Sequence, residues 1–202
     1  MLRITSILAI ALAGCAELAE QDDPRLVESG GDGPHDCGPL LANGSFDGGT
    51  TPWLANPADV IADDRDLPTE LSAHSGNFFA WLGGAPSTTR SIAQTVTVPA
   101  SVTMLRLEGK IFVGAESSSG VAKDTLHVQL LDGAGAVLVT PKSFSNIDET
   151  LAGSERIVWT DFRVVFAKPE RFASLRLLSM NDAANNTNFF FDSLSLEPAN
   201  CP

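Results

Sequence analysis

Along most of the chain apolar and polar residues alternate with a period of two, the spacing of a strand with one face in a core and the other in water. In residues 104–113, Leu105, Leu107, Ile111 and Val113 share one face, while Arg106, Glu108 and Lys110 share the other. Residues 125–131 repeat the pattern with Leu126, Val128 and Leu130 inward, and Asp132, Gly133, Ala134 and Gly135 supply a turn into a strand over 136–139. Further strands are predicted over 78–82, 91–98, 157–166, 174–180 and 189–196, punctuated by Pro99, Pro141 and Pro169. No stretch has the periodicity of an ordinary amphipathic helix, and no internal repeat is visible. Many short alternating strands with regular breakers predict an all-β fold, an antiparallel β-sandwich.

The N-terminus reads as a processing signal. Arg3 is a positive n-region, residues 4–13 form a short apolar run, and Leu12, Ala13 and Gly14 lead into Cys15. That run is too short to span a bilayer. The four residues ending at Cys15 resemble the bacterial lipobox, which implies a signal peptide over 1–14 and a diacylglycerol-modified Cys15 as the anchor. Ala16 after the cysteine resembles outer-membrane sorting, so the expected location is an outer-membrane lipoprotein, extracytoplasmic, on the periplasmic face or the cell surface. Residues 15–36 carry seven acidic positions against Arg25, with Gly30, Gly31, Gly33 and Pro34 as breakers, and read as a flexible acidic tether. A coil of that length spans about 25 Å on average.

The folded domain is expected over 37–202. With Lys+Arg at 13 and Asp+Glu at 25 the formal charge is -12, which makes nucleic acid a poor partner. Of three cysteines, Cys15 is assigned to lipid, which leaves Cys37 and Cys201 at the two ends of the domain in a compartment that permits disulfides. A disulfide between them is expected; free thiols or a metal pair are the alternatives.

Several segments together resemble the galactose-binding-like jelly rolls, a group that includes carbohydrate-binding modules and accessory domains of secreted bacterial hydrolases and peptidases. They are Asn43 to Asp47 followed by Trp53, His74 to Gly76 running into Trp81, residues 92–99, Asp124 with Thr125 and Leu126, Phe144 to Asn146, and residues 188–196. The resemblance covers residues 39–197 and implies a jelly-roll sandwich. It also implies a structural calcium held by the Ser45 carbonyl, the Asp47 carboxylate, a carbonyl near Asn77, and Asp192; Ser193 stands where the group usually has a second acid. Asp192 shares parity with Phe190, Leu194 and Leu196 and is expected to point toward the core, where a carboxylate needs a cation or several donors.

For ligand binding, Trp53 and Trp81 fall at core positions of the resemblance. Trp159, Asp161 and Arg163 share the polar face of their strand and are the candidates for ligand contact; packing of Trp159 under a loop is the other reading. No catalytic motif is present: His35 lies in the tether, His74 in a loop and His127 on a wet strand face, none beside an evident nucleophile, and Asp63, Asp64 and Asp66 read as a charged loop. The expectation is a non-enzymatic, surface-tethered binding or adhesion module for glycans or other cell-surface polymers. The alternative is a spacer or docking subunit for an envelope protein.

Overall fold

Ten strands account for nearly all the regular structure among the residues that the computed structural model describes, which are 38–66, 72–115, 120–149 and 158–199. These residues lie in the compact unit His35–Pro202. Residues 1–37 are outside the described residues, and with them the expected leader, Cys15, the tether and Cys37; Cys201 is outside them too.

In chain order the strands are β1 (Leu54–Asn56), β2 (Ile61–Asp63), β3 (Phe78–Gly83), β4 (Thr89–Thr95), β5 (Met104–Ala115), β6 (Thr125–Leu131), β7 (Val137–Ser145), β8 (Thr160–Ala167), β9 (Ser174–Met180) and β10 (Thr187–Pro198). One sheet runs β1-β4-β9-β6-β7 and the other β2-β3-β10-β5-β8, with every pairing antiparallel. Among the described residues the helical content is limited to 3-10 turns at Ala58–Val60, Asp64–Asp66 and Asn146–Asp148. This is the antiparallel sandwich expected from the alternation, in the jelly-roll form that the resemblance implied.

The period-two faces meet as predicted. Leu105, Leu107 and Ile111 of β5 pack in one cluster with Leu126, Val128 and Leu130 of β6 and with Leu175 and Leu177 of β9. Phe144, Phe162 and Phe191 interlock edge to face, with ring centroids 5.7 to 6.0 Å apart, and tie both sheets together. Each fully buried side chain of this kind contributes roughly 1.5 to 3 kcal/mol. A smaller cluster of Phe79, Phe112 and Phe190 forms apart from this core. Trp81 belongs there, 5.9 Å from Phe190, rather than in the inter-sheet core as expected, because its parity on β3 matches Phe79 and not Ala80. Trp53 is core, buried against Phe46, and its indole N–H donates to the Asn43 carbonyl at 2.8 Å.

Pro141 does not end a strand. β7 continues through it because β7 is a sheet edge, where the missing N–H is tolerated, and because the β6 pairing is irregular between Val128 and Leu130. β1 and β2, three residues each, escaped prediction because so short a segment shows no period.

Candidate functional site

β7 and β8 are the outer strands of opposite sheets, and a cleft of about 350 Å³ opens between them. Its apolar lining is Ile111, Val113, Phe144 and Phe162, and its polar lining is Lys142, Asp148, Thr160, Asp161 and Arg163. A second depression of about 410 Å³ shares Asp161, Phe162 and Arg163, and extends over Glu108, Lys110, Ser193 and Ser195. Asp161 and Arg163 thus stand between two concavities, on the strand where the sequence placed them, which is a sheet edge.

The charges here are arranged by register. Glu108 lies opposite Arg163 and Lys110 opposite Asp161. The Lys110 ammonium approaches Asp161 to 2.7 Å, whereas Arg163 Nε stays 3.8 Å from Glu108, whose carboxylate is 3.2 Å from Arg106 Nε. Arg106 also donates to Glu197 at 2.5 Å. The Ser195 hydroxyl and Arg106 hold the Glu197 carboxyl below its ordinary range. Lys142 Nζ sits 4.7 Å from the Phe144 ring centroid. Asp148 accepts the Ser145 N–H at 2.7 Å and its hydroxyl at 3.1 Å, closing a capping box.

Trp159 is not part of this group. Its ring meets Phe79 and His74 edge on, each at 6.3 Å, and its N–H donates to the Ser72 carbonyl at 3.1 Å. The indole packs against the second aromatic cluster, with one edge fastened to the 72–74 segment. Lys142, Phe144 and Asp148 were not singled out from sequence as ligand contacts, since only the three-dimensional meeting of β7 with β8 makes them neighbours of Arg163.

At the other expected site, Asp47 and Asp192 reach one loop. Asp47 Oδ1 accepts the N–H groups of Asn77 at 2.9 Å and Phe78 at 3.3 Å; Asp192 Oδ2 accepts that of Ser75 at 2.9 Å. Asp192 is fully buried, but not by the parity expected. It shares the Phe190 face, and a bulge between Asp192 and Ser195, with Ser193 at φ +52°, shifts the register so that Leu194 and Leu196 return to the core. Burial pushes its carboxyl up against the opposing pull of N–H donors from Ser75, Ser193 and His74. Gly44 docks on the same bulge, its carbonyl accepting the Leu194 N–H at 2.9 Å, and Ser45 follows it.

This donor set suits a hard cation. Asp47 and Asp192 are the carboxylates of the expected set, the Ser45 and Asn77 carbonyls are the main-chain oxygens that the resemblance implies, and no basic side chain neutralises Asp192 among the described residues. The Asn77 carbonyl also accepts the Asp64 N–H at 2.8 Å, and the described residues gather no group of three His, Cys, Asp or Glu, so a cation here would lean on main-chain oxygens.

Two histidines, unexpectedly, have serine partners. His74 Nδ1 lies 2.9 Å from Ser193 Oγ, and His127 Nδ1 lies 2.8 Å from Ser143 Oγ. In neither pair does a carboxylate orient the second ring nitrogen among the described contacts, so neither has the third member of a catalytic triad. The Asp63 carboxyl, at the end of β2 and not in the loop expected, is drawn to about 2 by its hydrogen bonds from Arg65, and Asp64, in the 3-10 turn that follows, accepts the Ala73 N–H at 3.2 Å.

No protein-family model and no curated protein sequence matches the chain. Solved structures share its architecture. TmCBM61 in complex with β-1,4-galactotriose aligns at 16% identity over 80% of this chain and 99% of its own, with a TM-score of 0.49. The CBM22-1 xylan-binding domain from Paenibacillus barcinonensis Xyn10C aligns at 17% identity over 82% and 97%, TM-score 0.45. Arabinose-bound MgGH51 α-L-arabinofuranosidase aligns at 15% identity over 79% of this chain but 26% of the enzyme, TM-score 0.50. At these identities the likeness concerns the fold.

Proposed function

We propose that the protein is a non-catalytic glycan-binding module, tethered outside the cytoplasm by lipid on Cys15, with its ligand seated in the cleft between β7 and β8. The observation that carries this reading is the composition of the cleft. Phe144 and Phe162, both largely buried in the core, offer their remaining apolar surface to sugar C–H groups, and Lys142, Asp148, Thr160, Asp161 and Arg163 supply donors and acceptors for hydroxyls. An apolar floor with a few convergent polar groups is what a polyhydroxylated ring requires. Calcium at Ser45, Asp47, Asn77 and Asp192 belongs to the same reading as a structural ion that neutralises a buried carboxylate and stiffens the loop at residues 74–78.

The direct test is retention of the full-length protein on a panel of immobilised polysaccharides, with and without calcium. Retention on at least one glycan, reversed by its soluble oligosaccharide, is the expected result; no retention on any would sink the reading. For the anchor, Cys15→Ser should release the protein from the membrane fraction, and an unmodified mature N-terminus in the wild type by mass spectrometry would contradict it.

A further inference from the structure

The β7–β8 cleft has a chemical bias that its formal charges conceal. Its lining holds two bases, Lys142 and Arg163, and two acids, Asp148 and Asp161. The acids are engaged within the protein: Asp148 closes the capping box on Ser145, and Asp161 takes the Lys110 ammonium at 2.7 Å. The bases are not. The Lys142 ammonium has only the face of Phe144 as a partner among the described residues. The Arg163 side chain is 63% exposed, and its nearest carboxylate, Glu108 at 3.8 Å, is held closer by Arg106. Two cations with unused donors therefore flank an aromatic floor on a chain whose formal charge is -12.

From this we infer that the cleft selects saccharides bearing carboxylates, of the uronic-acid class. A sugar ring would lie on the Phe144 and Phe162 side, with its carboxylate received by the Arg163 guanidinium, whose planar fork matches two oxygens, and by the point charge of Lys142. The protein's acidic surface repels polyanions in general, so binding needs the local donors and not a diffuse basic field. The inference rests on the glycan reading and narrows it.

The test compares binding of the full-length protein to polygalacturonate, to neutral galactan and to poly-glutamate, at about 0.01 M and about 1 M salt, where screening lengths differ roughly tenfold. Expected is preferential binding to polygalacturonate that weakens at high salt, with Lys142→Gln and Arg163→Gln each reducing affinity about tenfold or more at unchanged melting temperature. Binding to galactan alone overturns the selectivity and leaves glycan binding standing. Equal binding to poly-glutamate overturns it as well, by reducing the site to charge. Binding to none of the three overturns the uronic-acid inference, and the wider polysaccharide panel then decides the glycan reading separately.

Discussion

Asp47 and Asp192 clasp one loop from opposite ends of the sequence: Asp47 accepts the Asn77 N–H and Asp192 the Ser75 N–H, each at 2.9 Å. The loop between them includes Gly76 at φ +60°, where an added Cβ would fall 2.0 Å from the Asp47 carboxylate. The first segment of the domain, the loop before β3 and the bulge of the last long strand are thereby joined at one point.

Calcium should strengthen that point. A metal bound only by the folded state stabilises it by about 2.7 kcal/mol at a hundredfold excess over Kd, so chelation should lower Tm by several degrees. Asp192→Ala should abolish the chelator effect. Destabilisation by Asp192→Ala with a chelator-insensitive wild type would instead assign Asp192 wholly to its N–H donors.

The same carboxyl sets a pH signature. Its folded-state pKa is raised by burial, so without metal its contribution to stability is full below the ordinary carboxylate range and is lost as pH rises through the raised value. Calcium binds the ionised form, so its gain in Tm should grow across that window as pH rises. A calcium increment that is flat with pH, measured by calorimetry from about pH 4 to about pH 7, would contradict the assignment.

Gly44→Ala should destabilise the domain by about 2 kcal/mol or more, because the new Cβ would lie 1.8 Å from the Leu194 carbonyl oxygen, a main-chain atom fixed by the bulge. Gly133→Ala, where a Cβ meets nothing within 4 Å, should change Tm little. Thermal melts of both variants test the docking of the first segment on β10.

The chain ends of the described domain run together: the Leu40 N–H donates to the Leu196 carbonyl at 2.7 Å. Cys37 and Cys201, a few residues further along the sequence on either side, are therefore expected to be linked, with the bridge contributing roughly 4 to 5 kcal/mol in the chain-entropy picture. Non-reducing peptide mapping checks this; two free thiols would refute it.

The alternation made the sandwich legible, and β6 and β9 begin and end where it predicted. It also led to a wrong face for Phe190, since a one-residue bulge reverses parity and leaves little trace beyond Ser193. The aromatic cluster around Phe79, Phe112 and Phe190 was hidden for a related reason: outward-facing aromatics resemble core until the neighbours that cover them are known. Asp161 and Arg163 were readable as wet-face residues of one strand. Lys142 and Phe144 were not readable beside them, because adjacency between edge strands of different sheets is set by long-range closure and not by local pattern.

The location of the ligand is the central claim. Titrating the isotopically labelled full-length protein with a soluble fragment of its retained polysaccharide, and following amide shifts by nuclear magnetic resonance, tests it directly. The account predicts the largest changes at Lys142, Phe144, Thr160, Phe162 and Arg163 along the β7–β8 cleft. Changes centred instead on His127, Gln129 and Arg176, on the outer face of the β6–β9 sheet, would contradict it.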